Sequence, residues 1–210
     1  MSIDKAGSPP CGIYVRIDDF SNMLNVIGQV RKLAFAVNRG SGYEKNMVVV
    51  ELLYSKENEE RLRDIIPIIQ DNGMVAVVYK SHDSFGADGV LLDRVGDISS
   101  VRSALGDKAI IGLVCDGRSD AQNAIEQKAD YVSLAADPSL ISWFSAQSEI
   151  ICLARGNHIT NDNCGALAIA GAGIVDVSDY IWTHEKDIMQ GTVNILHALD
   201  LAMQSPKQVN

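Results

Sequence analysis

Three segments of the chain repeat one pattern: Gly86-Ala87-Asp88-Gly89-Val90, Lys128-Ala129-Asp130-Tyr131-Val132 and Gly171-Ala172-Gly173-Ile174-Val175. Each segment closes a helical pattern and opens an apolar, strand-like run. The three alanines are 42 and then 43 residues apart, which is the length of two strand–helix units each time. A repeat of this length predicts an architecture built from strand–helix units.

Eight apolar runs along the chain are rich in Val, Ile and Leu. Most are continuous rather than alternating, which favours parallel strands covered on both faces. They lie at residues 12–17, 47–54, 74–79, 89–92, 109–114, 131–135, 149–153 and 174–177.

Amphipathic, helix-like stretches separate most of these runs. Ser55 is typical of a residue that caps a helix, and Asn72-Gly73 would end that helix; Pro67 within it predicts a kink or a break. Only residues 81–87 separate the third and fourth runs, too few for a full crossover helix. The other helices are predicted at residues 20–37, 98–105, 121–128, 139–146, 163–170 and 185–203.

Eight strands in a repeat of this length favour a single small α/β domain, a (β/α)8 TIM barrel with a shortened connection between strands 3 and 4. An open doubly wound sheet is the competing fold. Such a sheet normally carries a Gly-x-Gly-x-x-Gly turn after its first strand, and residues 16–20 contain no glycine. We expect the barrel to span residues 11–204, with flexible tails at residues 1–10 and 205–210.

The composition restricts the classes of partner. The 210 residues include 18 Lys and Arg against 27 Asp and Glu, a net charge of -9, which argues against nucleic-acid binding because that depends on basic residues. No apolar run approaches the roughly 18 residues of a membrane span, and the first ten residues do not resemble a signal peptide. We therefore expect a cytoplasmic protein with a small-molecule ligand, no nucleic acid and no membrane partner; whether it forms a homo-oligomer stays open.

The four cysteines show no metal-binding or redox spacing. No pair forms Cys-x-x-Cys, and three of the four lie at or inside apolar runs, where a reduced thiol packs like a small hydrophobic group. They are Cys11, Cys115, Cys152 and Cys164. We interpret them as structural, unpaired thiols.

Several phrases, in order, resemble the thiamine phosphate synthase/TenI family of small (β/α)8 barrels. Residues 86–92 (Gly-Ala-Asp-Gly-Val-Leu-Leu) are similar to the family's Gly-Ala-Asp-Gly-Val-His-Leu. Residues 129–132 match a second family motif, Ala-Asp-Tyr-Val. Residues 110–114 (Ile-Ile-Gly-Leu-Val) resemble its Ile-Ile-Gly-Val-Ser. Residues 159–163, followed by 170–172, resemble the segments that enter and leave its seventh helix. The resemblance covers about residues 11–181.

The family joins an aminopyrimidine diphosphate to a thiazole phosphate and expels pyrophosphate with the help of Mg²⁺. Here the motifs that would carry this chemistry differ. The family's Gln-Leu-Arg-x-Lys reads Glu-Leu-Leu-Tyr-Ser at residues 51–55, so Leu53 and Ser55 stand where diphosphate-binding cations would be. Its Asn-Asp reads Tyr79-Lys80, so the metal-binding carboxylate is replaced by a cation. The resemblance thus implies a divergent member, and it leaves the cofactor open, Mg²⁺ included.

Polar residues at the ends of the strands are the candidate site residues, because in a barrel these ends surround one opening. We take Lys80 and Asp93 as candidate catalytic residues and assign no metal ligand. Residues 155–158 resemble the loops that bind phosphate in many barrels, although Gly156-Asn157 is also an ordinary turn pair. The candidate ligand-binding residues are Asp18, Glu51, Tyr79, Asp116, Arg155, Gly156, Asn157, His158 and Ser178.

The leading hypothesis is a divergent thiamine phosphate synthase/TenI-like barrel that binds a small phosphorylated or heteroaromatic ligand at its carboxyl-terminal mouth and is weak or inactive as a synthase. The alternative is a non-catalytic thiamine-binding or regulatory barrel. Its carboxylate-rich mouth would suit a cationic ligand such as thiamine. Whether the chain is an enzyme stays open. If it is active, the resemblance implies a synthase-like transferase or a TenI-like isomerase.

Overall fold

Eight parallel strands close into one barrel in the computed structural model, which describes residues 11–39, 46–93 and 98–204. Each strand pairs with its neighbours in chain order, and β8 pairs with β1 through Gly12 and Ile174. The strands are β1 (Gly12–Ile17), β2 (Val48–Leu53), β3 (Val75–Tyr79), β4 (Gly89–Leu92), β5 (Ile110–Val114), β6 (Tyr131–Ala135), β7 (Ile151–Arg155) and β8 (Ile174–Asp176). The predicted barrel is confirmed, and the open sheet is excluded.

Helices follow all strands except β3 and form the outer layer. They are α1 (Met23–Arg39), α2 (Glu59–Asp71), α3 (Ile98–Leu105), α4 (Arg118–Glu126), α5 (Pro138–Ser145), α6 (Cys164–Ala170), α7 (Ser178–Trp182) and α8 (Ile188–Gln204), with a 3-10 turn at Lys56–Asn58 before α2. The tails predicted at residues 1–10 and 205–210 lie outside the described residues. None of the helices in the described part of the chain is long and apolar enough to cross a membrane.

The short connection between β3 and β4 is confirmed and contains no helix. Its Phe85 ring stacks on Tyr54, with 5.1 Å between ring centroids, and the guanidinium of Arg63, a residue of α2, lies 5.0 Å from the centre of the Phe85 ring. Tyr54 and Phe85 are partly buried and pack against the core of the barrel here. The outward side chains of β3 and β4, Ala76 and Val90 among them, are fully buried.

Several element boundaries, the path of α2 at Pro67 and one short helix differ from the sequence predictions. Helix α2 runs through Pro67 to Asp71, so of the predicted kink or break the break does not occur; the tertiary contact of its buried face outweighs one missing backbone donor. Strand β7 ends at Arg155 rather than at residue 153, because β6 continues to pair with it as far as Ala135. The five-residue helix α7 was not predicted, since it is too short for a periodic pattern.

All four cysteines are unpaired, as predicted, and all are buried. Burial raises the pKa of Cys11, Cys115 and Cys152 to about 12, so these thiols stay protonated. Protonated, buried thiols are poor nucleophiles and poor metal ligands.

Gly112 makes room inside the barrel for the ring of Tyr131. A Cβ atom on Gly112 would lie 2.0 Å from Cζ of Tyr131. Tyr131 is buried and cannot move aside into solvent, so the ring and a methyl group compete for the same volume.

We expect Gly112→Ala to lower the free energy of unfolding by about 2 kcal/mol, because it overpacks the barrel interior. Gly28→Ala is the matched control, since Gly28 lies inside helix α1 and a methyl group there would have no neighbouring atom within 4 Å. That variant should be neutral or gain up to about 1 kcal/mol from helix propensity. Urea unfolding measures both, and equal stabilities of the two variants would contradict the packing argument.

Candidate ligand-binding site at the barrel mouth

The centre of the barrel changes from apolar to polar towards the carboxyl ends of the strands. Side chains alternate across a strand, so a residue two positions beyond an inward-facing one also faces inward. The apolar centre consists of Tyr14, Val49, Val77, Leu91, Tyr131, Leu153 and Ile174. Two positions further on, six strands carry a polar residue: Arg16, Glu51, Tyr79, Ser133, Arg155 and Asp176.

The opposite end of the barrel has a different character. A cavity of about 220 Å³ opens there, lined mostly by aliphatic side chains such as Met47, Val75, Ile110 and Ile151, with the charged residues Asp107, Lys108 and Asp130 also in its lining. Within the described interior, the inward-facing polar side chains of the strands converge at the mouth. The carboxyl-terminal end, where barrel enzymes place their sites, is therefore the candidate site here.

Arg155 and Glu51 form a two-pronged ion pair across the mouth. Nη1 of Arg155 lies 3.0 Å from Oε2 of Glu51, and Nη2 lies 3.0 Å from Oε1. The hydroxyl of Tyr14 donates a third hydrogen bond to Glu51, at 2.6 Å. Both oxygens of this buried carboxylate are thus engaged, in the fork geometry that a guanidinium makes with a carboxylate.

A second ion pair joins β1 to β8. Nε of Arg16 lies 3.0 Å from Oδ2 of Asp176 and also donates to Oγ of Ser178, at 3.3 Å. The Ser178 hydroxyl donates to Oδ1 of Asp176 and accepts the backbone N–H of Arg16 at 2.8 Å. Trp182 on α7 holds this corner, because its indole N–H donates to the carbonyl of Arg16 at 2.7 Å.

The two guanidiniums lie nearer the solvent than the two carboxylates. The side chains of Arg16 and Arg155 are 28% and 19% exposed, whereas those of Glu51 and Asp176 are 3% and 0% exposed. Arg155 also approaches Asp176, with 3.9 Å between Nε and Oδ2. These four charges cancel, and Nη2 of Arg16 also lies 3.5 Å from Oδ1 of the exposed Asp179.

Burial and ion pairing shift the pKa values of these charged groups in opposite directions. Burial raises the pKa of Glu51, and Arg155 and the Tyr14 hydroxyl oppose the shift. Burial also raises the pKa of Asp176, against the hydrogen bond from Ser178 and the charge of Arg16. For Arg155, burial lowers the pKa, but Glu51, Tyr14 and Asp176 together more than offset it, so the pKa rises and the guanidinium stays charged. We assign the charged forms to Arg155 and Glu51, because two parallel N–H contacts suit a carboxylate.

The ring of Tyr79 lies close to two cationic side chains at the rim, those of Arg155 and Lys80. Arg155 lies 4.9 Å from the centre of its ring, and Nζ of Lys80 lies 5.2 Å from it. Both are within the range of a cation–π contact. Asp93 is also near enough to raise the pKa of Tyr79, although its effect is smaller than those of burial, Arg155 and Glu51.

The structure gathers about half of the residues that the sequence singled out. Glu51, Tyr79, Arg155 and Ser178 lie in the mouth network, and Lys80 and Asp93 lie beside it. Asp18 lines a neighbouring cavity of about 220 Å³ together with Arg16 and Trp182. Asp116, Asn157 and His158 are exposed and Gly156 is half-buried, and none of these four has a described side-chain contact with the network.

The residues that sequence reasoning missed all lie inside strands. Tyr14, Arg16, Tyr131, Ser133 and Asp176 were hidden among apolar neighbours. A period-two signal could have found them, since Tyr14 and Arg16, or Tyr131 and Ser133, stand two apart on one face of a strand. Arg155 was expected in a turn, and its place at the end of β7 is what points its side chain into the mouth.

The mouth does not suit the Mg²⁺ that the family resemblance would imply. Its two buried carboxylates are engaged by guanidiniums, and the sequence resemblance places Lys80 where the family has its metal-binding aspartate. Within residues 11–39, 46–93 and 98–204, no three His, Cys, Asp or Glu side chains are grouped so as to hold a metal ion.

Two curated relatives match part of the chain. The thiamine-phosphate synthase of Erythrobacter litoralis is 37% identical over 117 residues, which is 48% of this chain and 54% of that protein. The thiamine-phosphate synthase of Methylobacillus flagellatus is 34% identical over 110 residues, 46% of this chain and 53% of that protein. The matched region thus spans about half the length of each relative. No protein-family model matches the chain.

Solved structures share the fold over nearly the whole chain. Thiamine phosphate pyrophosphorylase from Pyrococcus furiosus has a TM-score of 0.74 at 17% identity and covers 91% of this chain and 96% of its own. Orotidine 5'-phosphate decarboxylase from Pyrococcus horikoshii has a TM-score of 0.70 at 15% identity, covering 90% and 99%. At these identities the structures establish the barrel, and the two sequence relatives confirm the resemblance to thiamine-phosphate synthases. The TenI part of the resemblance stays a prediction.

We expect Glu51→Gln and Arg155→Met each to lower the free energy of unfolding by about 3 kcal/mol, because each leaves a buried charge without its partner. The double variant should lose much less than the sum, since it removes both charges. Urea unfolding of the four proteins gives the coupling free energy. Additive losses would contradict a direct Arg155–Glu51 interaction.

The stability that Arg155→Met loses relative to the wild-type protein should increase as the pH rises. Without the guanidinium, burial raises the pKa of Glu51 in the folded protein above its unfolded value. A carboxyl with a raised folded-state pKa favours the folded state at low pH, and this contribution is lost as the pH rises through that pKa. Arg155→Met should therefore be closer in stability to the wild-type protein at pH 5 than at pH 8.

Proposed function

We propose that this chain, a (β/α)8 barrel related to the thiamine-phosphate synthases, binds a small phosphorylated or heteroaromatic molecule at its carboxyl-terminal mouth and is weak or inactive as a synthase. One observation carries the proposal: the guanidiniums of Arg16 and Arg155 lie nearer the solvent than the carboxylates of Glu51 and Asp176, and of the two, Arg16 is also approached from outside by the exposed Asp179, at 3.5 Å. An arriving ligand therefore meets arginine and the ring of Tyr79.

The chemistry of these two guanidiniums favours an anionic group. Each guanidinium has five N–H donors, and the pairs with Glu51 and Asp176 use only some of them. Arginine is the residue that most often binds phosphate through paired, charge-assisted hydrogen bonds. The exposed ammonium group of Lys80 adds a third positive charge at the rim.

Two features support weak or absent synthase activity. Transfer from a diphosphate needs cations that neutralise the leaving pyrophosphate, and Leu53 and Ser55 stand where the family resemblance places such groups. The carboxylates of the mouth are held by guanidiniums, which leaves little for a metal ion to bind.

The alternative, a non-catalytic barrel that binds thiamine, requires a mouth that attracts a cation. Both buried carboxylates lie behind arginines, so a cation would meet positive charge before it met either acid. This arrangement favours the phosphorylated ligand over thiamine. A thermal-shift comparison of inorganic phosphate, pyrophosphate and thiamine separates the two ideas, because only a ligand that binds the folded state raises its stability.

We expect Lys80→Ala to weaken the binding of inorganic phosphate by about two- to fivefold, the range for one solvent-exposed charge. Lys128→Ala is the matched control. Both lysines are exposed and both have a left-handed backbone, with φ of 62° and 61°, so the two substitutions change charge and backbone strain equally. Lys128 precedes β6 at the opposite end of the barrel, and calorimetry should find the phosphate affinity of Lys128→Ala unchanged. Equal weakening in both variants would contradict binding at the mouth.

Synthase activity is tested with the aminopyrimidine diphosphate, the thiazole phosphate and Mg²⁺ together. We expect turnover far below about one per second, the lower end of the common range for enzymes. Turnover at or above that value would contradict the second half of the proposal and leave the binding site in place.

A further inference from the structure

The amino-terminal end of the barrel holds an apolar cavity that the proposed function does not use. Its volume is about 220 Å³, and none of the described residues that line it belongs to the charged network of the mouth. Nine of the twelve described residues around it are apolar or aromatic: Met47, Val49, Val75, Val77, Ala109, Ile110, Tyr131, Ile151 and Ile174. Such a cavity suits a different class of ligand from the mouth.

Missing side chains explain why the cavity is there. Gly12 and Gly89 stand two positions before the inward-facing Tyr14 and Leu91, so they also face the interior. A Cβ atom on Gly12 would lie 2.7 Å from the carbonyl oxygen of Met47, and Gly89 is crowded in the same way. Strands β1 and β4 therefore bring no side chain to the amino-terminal end, and space inside the barrel stays open.

The apolar lining extends from the interior of the barrel to its surface. Val77 and Ile174 are 1% and 4% exposed, whereas Ile151 is 41% exposed. Covering this lining is favourable, because it removes apolar groups from water. The buried part lies inside the ring of strands, so a small molecule can reach it, while the flat surface of another protein would contact only the rim.

The charges at the rim of the cavity are balanced. Oδ2 of Asp130 accepts hydrogen bonds from Nη2 of Arg102 at 2.8 Å and from the backbone N–H of Ile111 at 2.7 Å. The other two charged residues of the rim, Asp107 and Lys108, are exposed neighbours of opposite sign. A charged ligand would lose its hydration in the cavity without meeting an uncompensated charge there. The lining therefore favours an uncharged ligand.

We propose that this cavity is a second binding site, which takes a small uncharged molecule built on one aromatic or aliphatic ring. An apolar protein cavity of about 150 Å³ is already large enough to bind benzene. The cavity here is larger, so a ring with a short substituent fits. The site lies at the end of the barrel opposite the mouth and does not rest on the proposed function.

The test uses toluene as the probe and calorimetry as the measurement. The wild-type protein should bind toluene with a dissociation constant of about 1 mM or tighter, which is modest for a ligand of this size. Val75→Phe should weaken this binding by about tenfold or more, because the new ring occupies the volume that toluene would fill. The phosphate affinity of Val75→Phe should equal that of the wild-type protein.

Val114→Phe is the matched control. Val114, like Val75, is a half-buried, inward-facing valine on a strand, but it ends β5 on the side of the mouth and does not line the cavity. The dissociation constant of toluene for this variant should stay within about twofold of the wild-type value, the spread expected for a distant substitution.

The uncharged character of the ligand is tested with benzoate and benzylamine, which carry the same ring with opposite charges. Both should bind about tenfold more weakly than toluene or worse, because each must give up hydration of its charged group. If either charged probe binds as tightly as toluene, the stated ligand class is overturned.

Xenon gives a measurement that does not depend on any variant, since it enters empty apolar cavities. A crystal of the wild-type protein under xenon pressure should hold a xenon atom beside Val75 and Ile110. Absence of xenon there, or absence of toluene binding, would overturn the proposal and is the result expected if another part of the chain or a second copy fills the cavity. Equal weakening of toluene binding in Val75→Phe and Val114→Phe would also overturn it. None of these outcomes bears on phosphate binding at the mouth.

Discussion

The ion pair between Arg155 and Glu51 is the contact on which the mouth of the barrel depends. The two residues are 104 positions apart in the chain, on β7 and β2, and only closure of the sheet brings them together. Removing one partner would leave a charge in an interior where it cannot be hydrated, which costs several kcal/mol. The pair therefore links closure of the barrel to the charge pattern at its opening.

The rest of the network follows from that pair. Tyr14 completes the hydrogen bonds of Glu51, and Arg16 holds Asp176, so each acid has a guanidinium on its solvent side. Buried ion pairs are weak evidence for stability, since apolar residues of similar volume are often as stable. The arrangement is more informative about function: it keeps arginine at the entrance of an acidic protein.

The fold could be read from the sequence because its determinants are local and repeated. The eight strands, the alternating helices and the short link at residues 81–87 follow from apolar run length and spacing, and the structure confirms them. Helix α7 was missed because five residues carry no period. The continuity of α2 through Pro67 was missed because burial of a whole helix face outweighs one local signal.

The site was predicted less completely, for a physical reason. Strand ends could be located, which found Glu51, Tyr79, Lys80 and Arg155. Partners such as Tyr14 and Asp176 depend on the register between strands and on side-chain reach, which no single run of residues encodes. Strand β7 shows how strongly a site prediction depends on strand boundaries. A shift of two residues turns Arg155 from a loop residue into an inward-facing strand residue.

The most direct measurement of the central claim is a crystal structure of the protein grown with millimolar inorganic phosphate. We expect the anion at the carboxyl-terminal mouth, within hydrogen-bonding distance of Arg16 or Arg155 and near the ring of Tyr79. A phosphate bound at the amino-terminal end of the barrel, with the mouth closed by the same ion pairs and free of anion, would contradict the claim.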